Sequence, residues 1–137
     1  MKFLLDTNVI SQRLKPRPDA AVLAWMQGVR DEETYLSVVS IQEMRFGVED
    51  MSRGQRRDAL AQWLEKDILT GYHSRILMVD TDVADECGRL IFRAKQRRHT
   101  ATLADALIAA TAIVHGLSIA TLNAKHFVPL GVDLVKF

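Results

Sequence analysis

Short apolar runs alternate with longer amphipathic segments along the whole chain. Five runs predict strands: KFLL (2–5), TYLSVV (34–39), RILMV (75–79), SIAT (118–121) and VDLV (132–135). These runs are nearly continuous in apolar residues, which is typical of strands that a parallel sheet buries on both faces. Helical spacing between them, and the lack of any hairpin signal, predict a three-layer α/β/α domain around a central, mostly parallel five-stranded sheet.

The predicted helices have recognisable ends. We expect a short helix after Asn8, a second over 19–29 capped by Asp19, a third from Ser40 and a fourth over 53–69. A fifth is capped by Thr81 or Asp82 and runs to about Arg97. The sixth covers 103–115, because Thr102 is a suitable N-cap and Gly116 a suitable C-terminal residue.

Length and composition restrict the class of protein. The 137 residues contain no linker or repeat, so we expect one domain spanning 1–137. The single cysteine, Cys87, excludes an internal disulfide and a cysteine-rich zinc site. No apolar run reaches the roughly 20 residues of a membrane helix, and we expect a cytoplasmic protein without a membrane partner. A net charge of +1 provides no general attraction for nucleic acid.

Three acidic residues stand at the ends of predicted elements. Asp6 ends the first strand, Glu43 lies in the first turn of the helix after the second, and Asp105 in the first turn of the helix leading into the fourth. In an open parallel sheet the ligand crevice lies outside the carboxyl ends of the strands, which Asp6 and Glu43 would reach. We expect the helix of Asp105 to begin at the opposite edge, so Asp105 reaches the crevice only if that helix crosses obliquely.

Helix capping is an alternative explanation for all three acids. Asp6 could cap the short helix that follows it, and Ser40–Glu43 and Thr102–Asp105 both have the spacing of a capping box. The residues alone leave capping and a shared acidic site open.

A shared site would need a cation or protons. Two carboxylates about 4 Å apart repel each other by about 4 kcal/mol at an effective dielectric constant of 20. Hard oxygen ligands without Cys or His favour Mg²⁺ or Mn²⁺ over zinc. A carboxylate-bound ion that keeps water molecules is suited to phosphoryl chemistry.

Three segments in order carry a family resemblance: KFLLDTNVIS, LSVVSIQEMRFGV and TATLADALIAATAIVHGLSIATLNAKHF. They resemble the PIN-domain ribonucleases, specifically the VapC-like (FitB-like) toxins of toxin–antitoxin pairs. The resemblance implies a Mg²⁺- or Mn²⁺-dependent endoribonuclease that cuts single-stranded or loop RNA. It implies Asp6, Glu43 and Asp105 as metal ligands and catalytic residues. The supporting residues it implies are Thr7, Asn8 and Thr121.

One position departs from the family pattern. Many members carry a fourth acid where this chain has Asn123. An amide oxygen can coordinate a cation but adds no charge, so we expect Asn123 as a weaker ligand and a second metal that arrives with the substrate. The resemblance also implies a homodimer, and an antitoxin that places an Arg or Lys against the carboxylates and carries the complex to operator DNA. The helices of Trp25 and Trp63 are candidate interfaces, although both residues could equally be core.

A basic stretch could contact the RNA backbone. We expect this role for Arg89, Arg93, Arg97, Arg98 and Lys125, with His99 and His126 beside them. Alternatively, these cations are a solvated helix end that complements the helix dipole.

Two other functions remain alternatives. Loss of an acid at Asn123 could leave a non-catalytic RNA-binding or antitoxin-binding module. An aspartyl-phosphate phosphatase or receiver domain would phosphorylate Asp6, but phosphatases of that kind usually have a second Asp at the position occupied by Asn8.

Overall fold

Four parallel strands form the central sheet of the computed structural model, which describes residues 1–137. The strands are β1 (Phe3–Leu5), β2 (Thr34–Ser37), β3 (Ile76–Leu77) and β4 (Ser118–Ala120), in the order β3-β2-β1-β4. In the register, Phe3 lies between Thr34 and Ser118. The first strand of the chain is therefore central, and its carboxyl end lies beside those of both neighbours.

The predicted fifth strand, 132–135, is reduced to a single bridge. Ile119 pairs with Leu134 in parallel, its N–H donates to the carbonyl of Asp133 (2.8 Å), and its carbonyl accepts from the N–H of Val135 (2.9 Å). Because β4 has only three residues, its outer edge offers pairing at one position. The five-stranded prediction was thus wrong in strand number, while its last segment does lie at the edge of the sheet.

Seven α-helices accompany the sheet. They are α1 (Thr7–Ile10), α2 (Ala20–Gln27), α3 (Val38–Asp50), α4 (Gln55–Trp63), α5 (Thr81–Gln96), α6 (Leu103–His115) and α7 (Ala124–Phe127). Short 3-10 turns follow α1 and α7, and a π-helical segment, Leu64–Thr70, continues α4. None of these helices combines the length and apolar character that crossing a membrane requires.

The capping residues determine where the helices begin and end. The α6 prediction was confirmed at both ends: the Thr102 side chain accepts from the N–H of Asp105 (3.1 Å), and Gly116 adopts the left-handed conformation (φ 67°). Helix α5 begins at Thr81 because Asp80, rather than the predicted Thr81 or Asp82, caps it through the N–H of Val83 (3.0 Å). Similarly, α3 begins at Val38 because Ser37 is its cap, not at the predicted Ser40.

Each face of the sheet carries its own apolar core. Leu4 and Ile119 point to one side and pack with α5 and α6, through residues such as Leu90 and Ile108. Their neighbours Leu5 and Ala120 point to the other side and pack with α1 to α3 and the π-helical segment. This alternation confirms the predicted three-layer α/β/α class.

The two tryptophans pack against the second of these cores. Trp25 makes edge-to-face contacts with Phe3 (4.9 Å between centroids) and Phe137 (5.5 Å). Trp63 lies partly buried against the same core. Their role as a dimer interface stays a prediction.

Candidate active site

Asp6 lies directly after the central strand. Its N–H continues the ladder to the carbonyl of Ala120 (2.9 Å), and only 8% of the residue is exposed. One carboxylate oxygen, Oδ1, accepts from the N–H of Thr7 at the start of α1 (2.9 Å), and Oδ2 accepts from the Thr121 hydroxyl after β4 (2.8 Å). Asp6 therefore does cap α1, and its second oxygen is held from the neighbouring strand end.

The surroundings of Asp6 disfavour its charged form. Burial raises the pKa of the carboxyl group, and the negative charge of Asp105 adds to this effect. The hydrogen bonds from Thr121 and Thr7, and the nearby His126, lower the pKa again but do not outweigh burial. A positive charge close to Asp6 would therefore stabilise its ionised form.

Glu43 lies on the second turn of α3, because the helix starts at Val38. The predicted capping box of Ser40 and Glu43 is therefore wrong: Ser37 caps the helix through the N–H of Val39 (3.0 Å). Glu43 is exposed as a residue, yet its pKa is raised by partial burial of the carboxylate and by the charges of Asp6 and Asp105. Capping does not account for its position.

Asp105 reaches the same edge of the sheet. Helix α6 ends next to the amino ends of the strands, where the N–H of Ser118 donates to the carbonyl of Lys2 (3.2 Å), so it runs antiparallel to β4. Its first turn therefore lies at the carboxyl edge, and the expectation of an opposite start was wrong. The carboxylate of Asp105 faces α7, with Oδ2 3.7 Å from Nδ1 of His126.

The three acids influence one another electrostatically but are not close enough together to enclose one metal ion. Asp105 raises the pKa of both Asp6 and Glu43, and Asp6 raises that of Glu43. No three His, Cys, Asp or Glu side chains are close enough together to enclose one ion. Mg²⁺ commonly keeps several water molecules and uses only one or two carboxylates, so this open set of hard oxygen donors fits such an ion.

The predicted supporting residues connect the strand ends. Oδ1 of Asn8 accepts from the N–H of Leu122 (3.1 Å), and the Thr121 hydroxyl, which donates to Asp6, accepts from the N–H of Asn123 (3.0 Å). The Thr7 hydroxyl is buried without a hydrogen-bond partner. The Asn123 side chain is exposed at the start of α7 and makes no capping bond. Its role as a ligand stays a prediction.

The predicted basic residues differ in whether the protein already provides them with a partner. Arg89 pairs with Asp85 (2.6 Å) and Glu86 (3.2 Å), and Arg93 lies 4.0 Å from Glu86, so acids on the same helix offset both. Arg97 donates to the carbonyl of Pro129 (3.4 Å). Arg98 and Lys125 are exposed and take part in no ion pair.

The contact between His126 and Asp105 was not predicted from the sequence. Its only signal is the position of His126, three residues after Asn123 in the basic stretch. The contact arises because α7 turns back from β4 toward the start of α6.

Comparison with known proteins gives consistent similarities. Residues 3–128 match the PIN-domain family. A VapC ribonuclease of Sinorhizobium fredii is 39% identical over 134 residues, which cover 98% of this chain and 96% of the relative. Toxin FitB of Neisseria gonorrhoeae is 39% identical over 125 residues, covering 91% and 90%. A solved structure of FitAB bound to a DNA fragment superposes with a TM-score of 0.91 at 36% identity, covering 97% of this chain and 93% of the other.

Proposed function

Because the chain belongs to the PIN-domain family, we propose that it is a metal-dependent endoribonuclease and the toxin of a toxin–antitoxin pair. The observation that carries the proposal is geometric: Asp6 follows β1, Glu43 lies on the second turn of α3 after β2, and Asp105 lies in the first turn of α6, so all three are at the carboxyl edge of the sheet. Capping explains part of the position of Asp6 but not the mutual influence of the three charges. The relative named as a VapC ribonuclease supports the nuclease activity, and the relative named as toxin FitB supports the role as a toxin.

The three carboxylates would hold Mg²⁺ or Mn²⁺ at the carboxyl edge, with Asn123 as a weaker oxygen donor. When bound, such an ion lowers the pKa of a coordinated water and neutralises charge on the leaving oxygen. The Thr121 hydroxyl and the Thr7 N–H hold the Asp6 carboxylate in one orientation, in which it would bind the ion. Such positioning of a ligand by its neighbours is characteristic of metal sites.

The reaction would be hydrolysis of a phosphodiester bond in single-stranded or loop RNA. A water oxygen forms a bond to phosphorus while one phosphorus–oxygen bond of the chain breaks. One new RNA end then keeps the phosphate, and the other carries a hydroxyl group after protonation of the leaving oxygen. The three carboxylates repel the phosphate that is to be cleaved unless a cation lies between them, which agrees with a requirement for the ion.

We further propose a protein antitoxin that inhibits the site. An Arg or Lys of that partner would neutralise the same three carboxylates that otherwise bind the ion. The FitAB structure, solved on a DNA fragment, supports a complex that binds operator DNA, which this chain would reach only through its antitoxin. A homodimer and action on cytoplasmic RNA are part of the same proposal.

Cleavage of a mixed total-RNA and transfer-RNA preparation tests the proposal. Antitoxin-free protein is incubated with Mg²⁺, with Mn²⁺ or with EDTA, alongside Asp6→Asn and the exposed control Asp58→Asn. We expect cleavage only with a metal ion, by the wild type and by Asp58→Asn. Cleavage in EDTA, or equal cleavage by Asp6→Asn, would contradict the mechanism. No cleavage by the wild type would favour the non-catalytic module.

A further inference from the structure

A polar cavity opens beside Asp105. It has a volume of about 210 Å³ and lies between the end of α5, the start of α6 and α7. Only one of its lining residues is hydrophobic, and the side chains that define its chemistry are His99, Thr102, Lys125 and His126. Asp105 belongs both to this cavity and to the acidic group, so the cavity directly adjoins the candidate active site.

The lining favours an anion. Lys125 forms no ion pair, and the two imidazoles provide further N–H donors against the single carboxylate of Asp105. The Lys125 and His99 side chains therefore have no hydrogen-bond or ion-pair partner within the protein.

Size and composition narrow the class of anion. Pockets that enclose drug-sized ligands measure roughly 300–1,000 Å³, so this smaller space suits a phosphate with part of its sugar. No Phe, Tyr or Trp lines it, and it therefore lacks the stacking surface that a nucleobase uses. Its His and Asp side chains are also not placed to enclose a metal ion.

We propose that this cavity binds a backbone phosphate of the RNA strand adjacent to the phosphate that is cleaved. The inference rests on the proposed ribonuclease function and adds a subsite to it. Lys125 and His99 would bind the phosphate, and His126 would separate it from Asp105. Phosphate contacts fix register without reading sequence, so this subsite would position the strand and leave target choice to other contacts.

Salt-dependent binding of RNA tests the subsite. Fluorescence anisotropy of a short labelled oligouridylate is recorded in EDTA over a range of KCl concentrations. We compare the wild type with Lys125→Gln and His99→Gln, which alter exposed side chains. The matched control is Lys2→Gln, because exposed Lys2 precedes β1 and so lies at the opposite edge of the sheet from Asp6.

We expect Lys125→Gln to weaken binding and to reduce the slope of log affinity against log salt by about 0.7, the value for one phosphate contact on a single strand. His99→Gln should weaken binding as well, and Lys2→Gln should match the wild type. Neutral methylphosphonates can replace the phosphates of the oligonucleotide one at a time. At one position this replacement should weaken binding by the wild type but should not further weaken binding by Lys125→Gln. Equal slopes for wild type and Lys125→Gln, or no RNA binding by the wild type, would overturn the subsite.

RNA cleavage measured in parallel distinguishes the two proposals. Metal-dependent cleavage with unchanged slopes would overturn the subsite and leave the ribonuclease function standing. Reduced slopes without any cleavage would support the phosphate subsite and contradict the catalytic proposal.

Discussion

Replacing Thr121 with Val should expose how strongly the site depends on the orientation of Asp6. Thr121 is buried at 4% exposure, and its hydroxyl donates to Oδ2 of Asp6 (2.8 Å) while accepting from the N–H of Asn123 (3.0 Å). Val has nearly the same shape but can do neither. The substitution therefore removes two hydrogen bonds with little change in packing.

The expected cost follows from the charge of the acceptor. A hydrogen bond to a charged group contributes roughly 1.5–3 kcal/mol, against about 1 kcal/mol for a neutral one. We expect Thr121→Val to lower the free energy of unfolding by about 2 kcal/mol at neutral pH in EDTA, or the melting temperature by about 8 °C. Thr121→Ser, which keeps a hydroxyl group, should lose less.

The loss should depend on pH in a defined direction. Thr121 stabilises the ionised form of Asp6, so its removal raises the pKa of that carboxyl further above its ordinary value. The cost is therefore full only at pH values above the still higher pKa that Asp6 has in the variant. It shrinks as the pH falls from there through the pKa of Asp6 in the wild type, below which both folded proteins hold Asp6 protonated.

Urea unfolding in EDTA, at neutral and at mildly acidic pH, measures this effect. Thr111→Val is the matched control, since buried Thr111 donates to a neutral acceptor, the carbonyl of Leu107 (2.7 Å). Its cost should be about 1 kcal/mol or less and independent of pH. Equal losses for the two variants, or a Thr121→Val loss that persists unchanged at low pH, would refute the reasoning.

Three further predictions concern charge and backbone. Asp105→Asn should raise the melting temperature in EDTA by about 4 °C, roughly 1 kcal/mol, and abolish the rise that Mn²⁺ gives the wild type; lower stability in both conditions would indicate a capping role instead. Glu43→Gln should raise the melting temperature of the metal-free protein at neutral pH but not at low pH. The reason is that the stability of the wild type falls as the pH rises through the raised pKa of Glu43. A difference in melting temperature that does not depend on pH would contradict this. Gly116→Ala should lower the free energy of unfolding measured in urea by about 1–2 kcal/mol, since φ at Gly116 is 67°. Gly47→Ala lies inside α3 with open space around it and should raise that free energy by about 0.5–1 kcal/mol. Equal effects of the two substitutions would contradict the assignment of strain to Gly116.

The sequence predicts the fold best where signals are local. Helix α6 was predicted to the residue because Thr102 and Gly116 mark its ends within the chain itself. The last strand was overestimated because pairing depends on a partner, and β4 presents only three residues at its outer edge. Strand length in a sheet is thus a tertiary property that an apolar run alone does not determine.

In the candidate site, too, features with a local sequence signal were predicted better than features that depend on tertiary contacts. Asp6 could be assigned to a strand end, but its capping of α1 and its contact with Thr121 occur together, so the two explanations for it are not exclusive. Ser37 and Ser40 are both suitable caps, and only the structure shows that Ser37 starts the helix, so that Glu43 is not needed as a capping residue. His126 and Asp105 lie on separate helices, so the spacing of residues along the chain does not predict that they are close together.

The central claim is that Asp6, Glu43 and Asp105 act as one catalytic unit. Single-turnover rates of metal-dependent RNA cleavage test it most directly, measured for the wild type, for Asp6→Asn, Glu43→Gln and Asp105→Asn, for the triple variant, and for the Asp58→Asn control. Groups that act together lose activity non-additively. We predict that each single variant falls nearly to the level of the triple variant, while Asp58→Asn keeps the wild-type rate. Full cleavage by any single variant of the three would contradict the account.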